Sequence, residues 1–329
     1  MGALQFAKNG NYKRFYDNLK VIGKKEHKSP KLMFADAALC VLVTGSGLSD
    51  YINYEFYNKS WKERKTYITI GYQADFYKTA GLDPDKLLHN KINFLKNNPD
   101  LTKRDFYSTD QGIEALDKFL KKHKDFVIKP VNGLGGTDVK KMNVSEVESL
   151  EDFYNYIDSN NMFLEELIIQ DKEWGKLSPK SINTIRVMTS NVNGHVNIFF
   201  MVARIGNSIN LQDNFHQGGS GVLVDTEKGI LVGNAINKDM EEFEVHPVSG
   251  IKFDGYKIPY FDEIIELTKK AALKFPKTIV IGWDVALTNK GPLIIEGNNG
   301  PGFDLPQVVM KKGTKYMLEN IAKEMNQKK

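Results

Sequence analysis

The first 125 residues carry apolar positions at helical spacing and predict a mostly helical region, with amphipathic stretches around 50–70 and 110–122. Pro84, Pro99 and the Asn97-Asn98 pair punctuate it and bound a single helix over 87–96. From Phe126 the texture changes to short β-rich runs bounded by Gly, Pro or Asn, at 126–129, 139–142, 162–170, 182–189, 196–202, 221–224, 278–286 and 292–296. Helices over 145–159, starting at Ser145, and over 261–275, starting at Phe261-Asp262, interrupt the strands, and another follows Lys315. The pattern is that of an α+β protein with antiparallel sheets and no internal repeat.

Composition narrows this only a little. With 41% hydrophobic and 26% charged residues the chain is an ordinary globular one, which excludes a disordered or fibrous protein. Its single cysteine, Cys40, cannot support a disulfide framework and sits in the apolar run 33–43, so it is expected to be a core residue in a reducing compartment. That run carries Asp36 and is about half the ~20 residues a membrane span needs, and no signal-peptide pattern is present, so a cytoplasmic location is expected. The net charge of +4, without a basic stripe interleaved with aromatics, gives no reason to expect nucleic acid. The charge is uneven, however. Residues 1–31 hold Lys8, Lys13, Arg14, Lys20, Lys24, Lys25, Lys28 and Lys31 against Asp17 and Glu26. Such a run is either a solvated helix face or a peripheral dock for an anionic membrane surface or an acidic sugar.

Three segments carry candidate chemistry. In 128–137 a strand delivers Lys129 into the glycine-rich turn of Gly133, Gly135 and Gly136, where backbone N–H groups can approach phosphate oxygens and the lysine adds a point charge. No Gly-Lys-Ser/Thr follows, so it is not a Walker A loop; a glycine-rich hairpin with a surface lysine is the plainer alternative. In 163–170 an apolar strand is interrupted by Glu165 and Glu166, which must face opposite ways, so one of them points to the interior or a ligand unless both are edge-strand charges. In 282–298, two apolar strands joined by a short turn place Asp284, Glu296 and Asn298 in an otherwise buried context, with Asn298 on the face of Glu296. Three hard oxygen donors on one face suit magnesium bridging nucleotide phosphates, and buried unpaired carboxylates would otherwise be costly. Between these segments lie Arg186 and Arg204 on successive strands and the run 214–221 with His216, Gly218 and Gly219. The two arginines can clamp a phosphoryl group or form salt bridges to Glu165, Glu166 or Asp213, and His216 is either an acid–base group or a structural histidine.

Taken in order, Ser-Ile-Asn-Thr-Ile-Arg-Val at 181–187, Asn-Phe-His-Gln-Gly-Gly at 214–219, Gly-Trp-Asp at 282–284 and Glu-Gly-Asn at 296–298 resemble the sugar-transfer associated branch of the ATP-grasp superfamily, found with genes for bacterial surface polysaccharides. The resemblance covers roughly 85–310, with a weaker echo at 47–61. It implies a helical region over 1–84 and an ATP-grasp unit over 85–329, with lobes of about 85–170 and 171–329 clasping ATP. Lys91 and Lys129 would reach the phosphates beneath the 133–136 loop, and Glu165, Glu166, Leu167 and Ile168 would form the adenine hinge. The ribose carboxylate would come from Gln170, Asp171 or Glu173, with Asp171 the candidate. Asp284, Glu296 and Asn298 match the ligands of magnesium, for which manganese can substitute; Arg186 and Arg204 fall near the γ-phosphate and the acyl-phosphate. The implied activity is a carboxylate–amine ligase of surface-polysaccharide biosynthesis, taking a sugar-linked carboxylate and an amine, with a nucleotide sugar or lipid-linked glycan as possible carrier. A kinase of the same fold and a non-catalytic nucleotide-binding scaffold are the rivals.

Overall fold

The computed structural model describes residues 11–81, 86, 88, 90–131, 139–207 and 218–327, and the chain divides into two units, 1–82 with 302–329, and 83–301. In the first unit, helices Tyr12–Lys25, Pro30–Thr44, Leu48–Asn53, Trp61–Arg64 and Ile70–Ala80 are joined by Asp304–Met310 and Lys315–Gln327. The expected long helical stretch over 50–70 is broken. Glu55 sits at φ 51° just after helix Leu48–Asn53, Ser60 starts a new helix by a capping box with Glu63, and the Thr69 hydroxyl caps another by accepting the Tyr72 N–H. Local capping overrides the apolar period here. The chain's last stretch belongs to this unit because the buried Gln307 side chain acts as a backbone substitute: it accepts the Ile68 N–H at 2.7 Å and donates to the Ile68 carbonyl at 3.0 Å. Cys40 is buried, as expected, and no helix among the described residues is long and apolar enough to cross a membrane.

The second unit contains two antiparallel sheets among its described residues. The smaller has the order β1-β4-β2-β3, from β1 (Phe106–Tyr107), β2 (Asp125–Pro130), β3 (Lys140–Asn143) and β4 (Met162–Glu166). Helices Ile113–Lys122 and Leu150–Ser159 close its apolar face around Tyr107, Phe119, Phe126 and Ile157. The second helix starts later than the sequence suggests, because Ser149 rather than Ser145 caps it and 144–146 form a separate 3-10 turn. The helix expected over 87–96 is Lys91–Asn97, capped by Asn90.

The larger sheet runs β11-β10-β5-β6-β7-β8-β9, from β5 (Thr184–Val192), β6 (His195–Ile205), β7 (Ser220–Asp225), β8 (Ile230–Asn237), β9 (Glu242–Phe243), β10 (Val280–Thr288) and β11 (Gly291–Asn299). Along β10, Ile281, Trp283, Val285 and Leu287 join one core cluster with residues of helix Phe261–Leu273. The intervening positions, Asp284 among them, point to the other face. A bulge decides which face β11 offers. Asp284 pairs with Glu296 and Val285 with Ile294, so Ile295 is an extra residue. Strict alternation would put Glu296 on the face of the core residue Ile294; the bulge turns it to the face of Asp284.

Candidate functional site

The polar face of the large sheet gathers charge by strand register. Asp284 lies opposite Arg186 on β5 and opposite Glu296 on β11, and Asn298 lies opposite Gly282. Arg186 donates from Nε to Asp284 Oδ1 at 2.5 Å and from Nη2 to Oδ2 at 3.0 Å, and Arg204 on β6 donates from Nη1 to the same Oδ2 at 2.9 Å. The amide of Asn298 points at both acids, with Nδ2 3.5 Å from Asp284 and 3.4 Å from Glu296. Gly282 makes room for this, since a Cβ there would lie 2.8 Å from Pro301 and 3.3 Å from the Arg186 side chain. The two arginines therefore meet Asp284, a partner absent from the alternatives the sequence suggested.

The electrostatics of the pair are unequal. Burial opposes ionisation of Asp284, but Arg186 and Arg204 outweigh it and hold this carboxyl far below the usual carboxylate range. Glu296 goes the other way: burial and the Asp284 charge raise it, with Lys129, Arg186 and Lys91 acting in opposition. A half-buried carboxylate that its surroundings only partly neutralise, beside an ionised one and an amide that would offer its oxygen after turning about, is a set that fits a divalent cation. The fit rests on the oxygen chemistry and on the register that puts all three side chains on one face.

A second charged cluster sits on the small sheet. β4 is a central strand, so Glu165 and Glu166 are not edge charges. Glu165 is buried and binds Lys129 Nζ at 2.5 Å and Arg104 Nη2 at 2.9 Å. Burial pushes its carboxyl up, but the two cations prevail and bring it down to about 2; burial lowers the Lys129 ammonium, with Glu165 resisting. Glu166 faces away, half-buried, and accepts the Asp105 N–H at 3.1 Å. Arg104 was not legible in the sequence, where Lys103-Arg104-Asp105 reads as a solvated charge run. Its fork also donates to the carbonyls of Ile294 at 2.7 Å and Ile295 at 2.9 Å. One guanidinium thus holds both the partner of Lys129 and the bulge that turns Glu296.

The remaining candidates fall as follows. Lys91 opens helix Lys91–Asn97, close enough for its charge to act on Glu296. Leu167 and Ile168 line a cavity of about 530 Å³ together with Lys141, Gln170, Asp171 and Ile182. Of the ribose candidates, Gln170 is pinned by the Asn183 N–H and the Ser181 carbonyl, and Glu173 pairs with Lys176 at the surface. Asp171 caps helix Lys172–Gly175 through Oδ1 alone, which takes the N–H groups of Glu173 and Trp174 at 2.9 Å each. Among the described residues its Oδ2 has no protein partner, so it can still meet a ligand at the cavity wall. Gly218 and Gly219 lead into β7, whose Gly221 pairs with Arg204; Gly218 adopts φ 97°, a conformation suited to glycine. Gly133, Gly135, Gly136, His216 and Asp213 lie outside the described residues.

Among solved structures the chain is similar to the ATP-grasp ligase PsnB complexed with a minimal precursor, at 14% identity and TM-score 0.43, over 74% of this chain and 61% of that one. It is also similar to the D-alanine–D-alanine ligase of Helicobacter pylori, at 14% identity and TM-score 0.43, over 72% of this chain and 61% of that one. A third similarity is to the L-amino acid ligase of Bacillus licheniformis, at 16% identity and TM-score 0.40, over 72% and 48%. The chain thus spans less than two thirds of the length of each of these proteins. No curated protein matches it significantly. The model of the sugar-transfer associated ATP-grasp family matches residues 66–323, most of the 329, and the chain belongs to that family.

Proposed function

We propose that the protein is an ATP- and magnesium-dependent carboxylate–amine ligase working through an acyl-phosphate. The observation that carries the reading is the cross-strand pair Asp284 and Glu296, set with Asn298 on a face that also presents Arg186 and Arg204. Membership of an ATP-grasp family supports it. Asp284, Glu296 and Asn298 would hold magnesium, which when bound neutralises charge on the nucleotide phosphates. Lys129, held against Glu165, and Lys91 would take phosphate oxygens, with Gly133, Gly135 and Gly136 covering them. Leu167 and Ile168 would offer backbone groups to adenine, and Asp171 Oδ2 would accept from the ribose. Residues 85–170 and 171–329 would then act as the two lobes, with 1–84 as a helical region to whose unit the stretch 302–329 also belongs.

In the first step a substrate carboxylate oxygen bonds to the γ-phosphorus and the bond to the β–γ bridging oxygen breaks, releasing ADP. Arg186 and Arg204 would leave Asp284 to meet the negative charge of the transferring group. In the second step an amine attacks the acyl carbon. Arg204 and the N–H groups of Gly218 and Gly219 would stabilise the tetrahedral oxyanion, His216 would accept the amine's proton, and phosphate leaves. The substrates proposed are a uronic acid or other sugar-linked carboxylate, on a nucleotide sugar or lipid-linked glycan, and an amino acid or simple amine, for capsule or exopolysaccharide synthesis in the cytoplasm.

The test is ATP turnover with magnesium, following ADP and free phosphate across uronic acids and nucleotide uronates, each with pooled amines. The expected result is ADP and phosphate only when acid and amine are both present. ADP without free phosphate would replace the ligase with a kinase, and ATP binding without turnover across the panel would favour the scaffold.

A further inference from the structure

Apart from Lys31 at its start and Asp36, helix Pro30–Thr44 is apolar on its outer as well as its inner face, whereas a helix at the surface of a soluble protein keeps a polar outer face. Its inner face is closed: Met33, Ala37 and Cys40 are buried. Its outer face carries Leu32, Ala35, Ala38, Leu39, Leu42 and Val43, all exposed. Leu32 and Leu42 are 73% and 74% exposed, and Val21, on the preceding helix, is 72% exposed. A contiguous apolar face of this kind marks a docking surface.

The charges at its two ends identify what docks. Lys24, Lys25 and Lys31, all exposed, surround the turn that joins the two helices, beside Val21 and Leu32. At the other end Val41 and Val43 border a cavity of about 490 Å³ whose wall includes Lys65, Lys78 and Lys315. Lys65 and Lys78 are both exposed there, Lys78 beside Asp75 at 2.5 Å, and Lys315 lies over the Tyr72 ring at 4.3 Å. The carboxylates of the two helices and their turn are all engaged: Asp17 by Lys20 at 2.8 Å, Glu26 by the Asn58 amide at 3.0 Å and Asp36 by Arg64. An aliphatic stripe ended by lysines at both extremities matches the boundary between acyl chains and anionic headgroups, where leucines enter and lysine stems reach up to phosphates.

We infer that the outer face of helix Pro30–Thr44 docks on an anionic lipid bilayer, lying in its interface rather than crossing it. The inference is independent of the ligase reading. The test uses the full chain and vesicles of phosphatidylcholine with or without phosphatidylglycerol, assayed by co-sedimentation. Sedimentation is expected with the anionic vesicles, and loss at high salt. The double variant Leu39→Glu, Leu42→Glu should lower the bound fraction about tenfold and Lys24→Glu with Lys25→Glu several-fold, all with unchanged melting temperature. Absence of binding to anionic vesicles overturns the inference. So does a dimer, seen by light scattering without lipid and dissolved by Leu42→Glu, because the face would then belong to a second copy of the chain.

Discussion

Each unit of the protein sets a carboxylate against a largely buried guanidinium, and the two pairs are built differently. In the helical unit Arg64 meets Asp36 fork to fork, at 2.7 and 2.8 Å, and its other donors go to the Lys59 carbonyl and Cys40 Sγ. Tyr51 completes Asp36. This pair is closed on itself. In the second unit two arginines converge on Asp284, while among the described residues Glu296 beside it has one hydrogen-bond contact, a long one from Asn298, and feels Lys129, Arg186 and Lys91 at a distance. There the charges are mismatched one by one and balance only as a cluster. Buried ion pairs add little net stability but are costly to break, so a closed pair locks a fold. A cluster with a carboxylate left over has capacity for a ligand.

The largest effect that sharpens this contrast is expected at Glu296. Glu296→Gln should lower ADP formation by about a thousandfold with the melting temperature unchanged or slightly raised, since the charge it removes is poorly compensated. Asp284→Asn should lose activity equally but also stability, because it leaves Arg186 and Arg204 facing a neutral amide. Turnover retained in both variants would sink the metal assignment. Next, Arg104→Leu is expected to cost about 3 kcal/mol in urea unfolding by breaking its buried pair with Glu165, and to weaken ATP binding by releasing Lys129 and the Ile295 bulge together. Arg64→Leu should cost about 2 kcal/mol, less because Asp36 is partly exposed, and leave turnover per folded molecule unchanged. A loss of turnover there would break the distinction between the two pairs.

The last effect, seen only as a pH dependence, concerns Asp50. Burial raises its carboxyl to about 6, even though Oδ2 accepts the N–H groups of Ile70 and Gly47. The folded state therefore holds a proton that the unfolded state releases near pH 4, and the associated stability is present below that pH and lost as pH rises through about 6. Asp50→Asn should flatten the fall in melting temperature between these limits, by at most about 3 kcal/mol. An unchanged pH profile would show that Asp50 is ionised throughout.

The sequence by itself determined most of the strands and the identities of the acids and bases, but not β1, β8 and β9, nor that β4 stops at Glu166. Short β-rich runs bounded by Gly, Pro and Asn are local signals, and the strands near 126–129, 182–189 and 278–286 formed as β2, β5 and β10. It also determined that Glu165 and Glu166 face opposite ways, since that follows from the pleat alone. Helix boundaries over 50–70 failed because Ser60 and Thr69 act as caps only where the chain lets them. What only the tertiary structure decided is which charge meets which: Arg186 and Asp284 are 98 residues apart, and Arg104 and Ile294 are 190 apart. No local pattern encodes a contact across such distances, nor the single extra residue at Ile295 that turns Glu296 toward Asp284. The chemistry is written in the residue types, and the site exists because sheet register brings them to one face.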